Sequence, residues 1–252
     1  MSEPALSPCA ALVRRGDPDR FLSAMTALPA LRERLFALYA FNLELARIPA
    51  VVSEPTLGAI RLQWWRDAVA LAHEGRSRSH EVAAPLAETI RAADLPRAPF
   101  ERLMDARALD MEAGALDGDP ALRAYLRDTG ASLLALSAHA LAGEAGPAEE
   151  AGFAFAAAAW LRAQPALVAG GRRAMAQDQA QALARDGLAA LAAARRAGAP
   201  RGAEAAYRAG WLSEAALRAA LSERFDPEAG PAAPSPFRAR ASLLWRAARA
   251  NW

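Results

Sequence analysis

Residues 32–66, RERLFALYAFNLELARIPAVVSEPTLGAIRLQWWR, decide the fold. Here and just before, Leu31, Leu35, Leu38, Phe41 and Leu45 recur at steps of three and four, and Phe36, Tyr39 and Leu43 draw a second apolar line. That period is helical, and a helix apolar on two sides belongs at the centre of a bundle, so Pro29–Pro49 is expected there. A second long helix is expected to open at Ser53 as N-cap, with Glu54 and Pro55 in its first turn, and to run through Leu57, Ile60, Trp64, Ala68 and Leu71 to about Gly75. Trp64 and Trp65 are adjacent and therefore about 100° apart on a helix, so one is expected in the core and the other towards a cavity or a partner.

The rest of the 252 residues reads the same way. About 70 are alanine and none is lysine, so all 30 basic residues are arginine. Strand-type alternation is almost absent, and the expected fold is all-α. Further helices are expected over 81–93, 98–114, 119–142, 148–162, 173–197, 203–225 and 237–251, making nine or ten in one compact bundle. Residues 226–236, DPEAGPAAPSP, read as a Pro-rich linker between a domain of residues 1–225 and a basic C-terminal helix at 237–252.

Composition excludes several classes. With 54% apolar residues, 23% charged and a net charge of +2, the chain is neither disordered nor supercharged, and it carries no run of like charges that would bind nucleic acid. The single cysteine, Cys9, rules out a disulfide framework and a Cys-based zinc site. Beside Pro8 it is expected in a mobile N-terminus and unreactive, while Asp17 and Asp19 look like a helix start. The scattered His73, His80 and His139 offer no His-rich metal site, and His73 and His139 read as surface or satisfied residues. The longest apolar run, Gly152–Leu161, is roughly half of a membrane span. The opening MSEPALSPCAALVRRGD lacks a secretory pattern, so a cytoplasmic protein is expected, free to sit peripherally on the inner membrane.

Three stretches, in order, resemble the squalene/phytoene synthase family of head-to-head prenyltransferases. They are Arg34-Leu35-Phe36-Ala37-Leu38-Tyr39-Ala40-Phe41, then Tyr125-Leu126-Arg127-Asp128-Thr129-Gly130-Ala131-Ser132, then Trp160-Leu161-Arg162 continuing to Gly171-Arg172. The resemblance implies an isoprenoid-synthase bundle in which two Asp-rich helices hold magnesium ions against a prenyl diphosphate. Carboxylates four residues apart share a helix face and hold such ions jointly. Carried over by position, the first motif's aspartates fall on Ala46, Arg47 and Ala50, with Asn42 and Leu43 replacing its Cys-Arg. The second motif falls on Ala159, Ala163, Ala166 and Leu167, with Pro165 interrupting the turn. No metal ligands and no catalytic residues are therefore assigned, and a cofactor, magnesium, is expected only if the chain is a prenyltransferase after all. Tyr39, Phe41, Arg47, Trp64, Tyr125, Arg162 and Arg172 remain as candidates to line the former prenyl diphosphate cavity.

Other acids do not replace the lost ones. Asp105, Asp110 and Glu112 give no i, i+4 pair and have Arg107 between them, which reads as a solvated helix face; Glu44 reads as an acid paired to Arg47 or Arg61. The departures over residues 39–66, Tyr-Ala-Phe-Asn-x-Glu-x-Ala-Arg, Val-Ser-Glu-Pro and Gln-Trp-Trp-Arg, are similar to the non-catalytic branch of the family that includes the mitochondrial respiratory complex I assembly factor. That resemblance implies a catalytically degenerate binding or assembly factor for a respiratory membrane complex. A prenyltransferase using farnesyl or geranylgeranyl diphosphate and an isoprenoid-binding module are the alternatives. For residues 237–252, with four arginines, Leu243, Leu244, Trp245 and Trp252, two readings stand: a last bundle helix on the core, or an amphipathic helix on an anionic membrane.

Overall fold

The computed structural model describes residues 6–52, 54–112, 114–232, 234–249 and 251–252. Their helices run in the order α1 (Pro8–Gly16), α2 (Pro18–Met25), α3 (Arg32–Val51), α4 (Pro55–His73), α5 (Ala83–Ala93), α6 (Arg97–Ala108), α7 (Asp119–Ala142), α8 (Ala148–Ala169), α9 (Gln177–Ala197), α10 (Glu204–Tyr207), α11 (Ser213–Ala220) and α12 (Pro236–Ala248). Short 3₁₀ turns cover Pro29–Leu31, Leu109–Met111 and Arg208–Gly210. Among the described residues no strand forms, and no helix is long and apolar enough to cross a membrane. The all-α bundle is as the periodicity predicts.

Helix α3 is central for the reason its sequence gives. Every residue from Leu35 to Asn42 is buried, together with Leu45 and Ile48, and the helix packs against α1, α2, α4, α5, α6 and α7. Helix starts are set by local chemistry. The Ser7 hydroxyl accepts from the Ala10 amide, the Asp17 carboxylate accepts from the Arg20 amide, and proline opens α1, α2, α4 and α12, where its missing N–H costs nothing. The expected cap Ser53 lies outside the described residues. Trp65 is buried against Phe41 while Trp64 is half-buried beside His80, dividing the pair as its 100° separation requires.

Several expected boundaries are corrected. Helix α8 continues through Pro165 to Ala169 instead of stopping at Arg162, with Gly230 packed so close to Pro165 that an added Cβ would come within 3.3 Å of the Leu161 carbonyl. Helix α9 begins at Gln177 rather than Arg173, and α6 tightens into a 3₁₀ turn after Ala108. The single helix expected over 203–225 is broken into α10, a 3₁₀ turn and α11, with Gly210 at the break packed against the Phe155 ring. Cys9 lies within α1 and is 1% exposed, and burial pushes its thiol up to about 12. His73 is held by the carbonyls of Val69 and Leu95.

The second core joins α7, α8, α9 and α11. Helices α7 and α8 meet backbone to backbone: a Cβ on Gly130 would lie 2.1 Å from the Gly152 carbonyl oxygen, and one on Gly152 would lie 2.5 Å from the Ala131 nitrogen. Gly152→Ala is expected to cost about 2 kcal/mol, since the clash outweighs the ~1 kcal/mol that alanine gains inside a helix. Thermal unfolding should show a fall of about 5 °C. A variant as stable as the parent would mean that the two helices do not approach this closely.

Candidate functional site

A cavity of about 440 Å³ lies between α3, the end of α6, α7 and α8. Helix α3 contributes Asn42, Ala46 and Pro49, α7 contributes Tyr125, Thr129 and Leu133, and α8 contributes Ala156, Ala159, Trp160, Ala163 and Leu167. Three of the former ligand positions, Ala46, Ala163 and Leu167, thus face the cavity, with Ala159 beside them; Ala50 does not line it.

The polar end of the cavity is a network rooted in the 3₁₀ turn Leu109–Met111. Tightening of the chain there sets Asp110 three residues past Arg107 and turns both inward, where their side chains are 13% and 17% exposed. The Arg107 guanidinium donates to Asp110 Oδ2 at 3.1 Å, to the Tyr125 hydroxyl at 2.6 Å and to Asn42 Oδ1 at 3.2 Å. Tyr125 in turn donates to Asp110 Oδ2 at 3.0 Å. Burial alone would weaken the charge on Arg107, but Tyr125 and Asp110 outweigh it and hold the guanidinium above its ordinary value. Burial raises the Tyr125 hydroxyl well above the ordinary phenol range, which keeps it a neutral donor. Arg107 Nε is buried without a hydrogen-bond partner.

Two further arginines line the cavity. Arg20 pairs with Asp17 and lies over the Tyr39 ring. Arg172 lies over the Trp160 ring, 5.6 Å from its centroid, and among the described residues it has no ion-pair partner. Trp160, Leu167 and Arg172 also form one wall of a neighbouring pocket of about 390 Å³ that carries Arg173.

Of the residues proposed from the sequence, Tyr125 and Arg172 line the cavity; the others lie elsewhere. Tyr39 is buried behind Arg20, its hydroxyl unpartnered and pushed up to about 12 by burial. Phe41 is wholly buried, edge-on to Trp65 and Phe100. Arg47 and Trp64 line a separate pocket of about 330 Å³ with Glu44 and Arg61, and Arg47 sits 3.8 Å from Glu44. Arg162 points away to Asp19 at 2.8 Å. The reading of Arg107 and Asp110 as a solvated face is overturned, because both belong to the buried network; Asp105 does lie on the surface, paired to Arg66. Arg20, Asn42 and Trp160 also line the cavity without having been expected there, and for Arg107 the apolar Leu103 and Met104 one turn earlier on α6 are the sequence signal that this part of the helix faces inward.

The donor set does not fit a magnesium cluster. Such ions are held by several oxygens, usually with carboxylates among them, whereas the one carboxylate in the lining, Asp110, is already taken by Arg107 and Tyr125. Among the described residues, no three His, Cys, Asp or Glu side chains group as ligands.

Comparison with known proteins places this architecture. The bundle superposes on a dehydrosqualene synthase solved in complex with ligand, with a TM-score of 0.74 at 15% identity over 96% of this chain and 94% of that one. It also superposes on squalene synthase HpnC from Alicyclobacillus acidocaldarius, with a TM-score of 0.65 at 20% identity over 84% and 90%. In sequence the chain is 31% identical to NADH dehydrogenase (ubiquinone) complex I, assembly factor 6, of Bos taurus over 129 residues, and 30% identical to that of Homo sapiens. These alignments span 51% of this chain and 39% of the relatives' length. The squalene/phytoene synthase family model matches residues 13–250, and the chain belongs to that family.

Proposed function

We propose that this protein is a catalytically degenerate member of its family that serves as a binding or assembly factor for a respiratory membrane complex, working at the membrane surface from the cytoplasmic side. The observation that carries the reading is the cavity wall itself. Where the family's motifs place carboxylates, Ala46, Ala163 and Leu167 face the space. Ionising a prenyl diphosphate demands strong stabilisation of the departing charge, usually the largest part of the barrier reduction. Arg20 is already paired and Arg107 is bound into its own network, which leaves Arg172 as the one lining arginine without a partner among the described residues. Relatives named complex I assembly factor 6 support the assembly role, and a protein partner follows from it.

A second reading rests on the cavity's lining. A space of about 440 Å³, lined by leucines and alanines together with Arg20, Arg107 and Arg172, suits an isoprenoid or lipid with an anionic head, held without metal. The two readings are compatible, since a bound lipid could fix the form of the protein that meets its partner.

Three outcomes are expected. Deleting the gene in its host should reduce the assembled NADH-oxidising respiratory complex on native gels while leaving isoprenoid products unchanged; an intact complex would defeat the assembly reading. Incubated with farnesyl or geranylgeranyl diphosphate and magnesium, the purified protein should release no pyrophosphate. Any thermal stabilisation by these ligands should survive chelator and weaken in Arg172→Gln, whereas chelator-sensitive turnover would restore the prenyltransferase alternative. Asp110→Asn should lower stability by about 2 kcal/mol, because it leaves Arg107 buried without its counter-charge, and the melting temperature should be no lower with chelator than with magnesium.

A further inference from the structure

Helix α12 has an apolar face on each side. Its inner face sets Ala239 and Leu243 on Trp211. On the outer face Phe237 is 82% exposed, Leu244 67% and Trp245 60%. At about 100° per residue these three, with Ala241 and Ala248, form one stripe about 100° wide, bordered by Arg240 on one side and by Arg238 and Arg249 on the other. Arg249 lies directly over the Trp245 ring, 3.9 Å from its centroid.

The helix cannot roll this stripe inward. The chain beyond it is anchored: Trp252 is buried against Tyr207 and Phe155, so of the two readings of this segment packing on the core holds for Trp252. Arg208, buried and without a carboxylate in ion-pair contact among the described residues, donates to the Asn251 carbonyl at 2.8 Å and to the Thr26 hydroxyl at 3.0 Å.

Charge selects the occupant of the outer face. From residue 229 to the C-terminus there is no Asp or Glu, and the four charged side chains are Arg238, Arg240, Arg246 and Arg249. We propose that the outer face of α12 docks on an anionic lipid bilayer, with Phe237, Leu244 and Trp245 entering the boundary between headgroups and acyl chains and Arg238, Arg240 and Arg249 meeting lipid phosphates. The inference deepens the membrane side of the proposed function and rests on it; the cavity has no part in it.

The test is sedimentation of the full-length protein with vesicles of phosphatidylcholine, alone or mixed with phosphatidylglycerol. The parent should bind the mixed vesicles, release them as salt rises, and bind the neutral ones at least about 25-fold more weakly (the effect of two arginines at about fivefold each). The triple variant Phe237→Ser, Leu244→Gln, Trp245→Gln should lose about tenfold in affinity. Arg238→Gln with Arg240→Gln should lose about fivefold per arginine and flatten the salt dependence. All five side chains are exposed, so unchanged thermal unfolding is the control for folding, and either variant alone suffices as a test. Variants that bind mixed vesicles as well as the parent would overturn the role of α12 while leaving membrane association standing. A parent that binds neither vesicle would overturn both, even with respiratory-complex assembly still dependent on the gene, and would leave the face to a protein partner.

Discussion

The close crossing of α7 on α8 at Gly130 and Gly152 is the constraint on which the rest of the molecule hangs. With no side chain on either glycine, the backbones come into contact, and the residues flanking that contact splay to the two sides of it. On one side Phe153, Ala157 and Leu161 pack with α9 and α11 into the second core. On the other, Tyr125 and Thr129 of α7 and Ala156, Ala159 and Ala163 of α8 look towards α3 across the cavity. A single larger residue at the crossing would push the helices apart and open the space that α3 closes.

What that space contains follows from size and charge together. Arg20, Arg107 and Arg172 stand against Asp110 alone, so the lining is cationic and attracts an anionic head as readily as water. Alanine at 46, 159 and 163 matters as much as the missing carboxylates, because leucine or phenylalanine there would have closed the cavity.

Sequence periodicity carried the fold because a bundle is specified by the phase of its apolar residues. The two apolar lines of residues 31–45 made α3 central, the adjacent tryptophans divided as expected, and Asp17 capped a helix. The site was less legible, for reasons of angle. On a helix buried all round, phase does not distinguish the cavity side from the core side, so Phe41 looked like a lining residue and is core. Arg47 is one residue from Ala46 and therefore about 100° away, enough to put it in a different pocket. Arg107 and Asp110 were hidden because the 3₁₀ turn at 109–111 changes the winding just where the two side chains turn inward.

The same physics separates the two ends of the C-terminal segment. Trp245 and Trp252 look alike in sequence, each following an arginine-bearing stretch, and an interfacial role suits both. Only tertiary context assigns them. Trp252 fills a gap between Phe155 and Tyr207, with Arg195 over its ring, and its burial fixes the end of the chain. Trp245 is left outside because Ala239 and Leu243 already occupy the inner face and pack on Trp211. A helix fixed in this way gives up the freedom that a tethered amphipathic segment would have, so its outer stripe is presented in one orientation relative to the cavity. Any membrane or partner that takes the stripe thereby also fixes the direction in which the cavity faces.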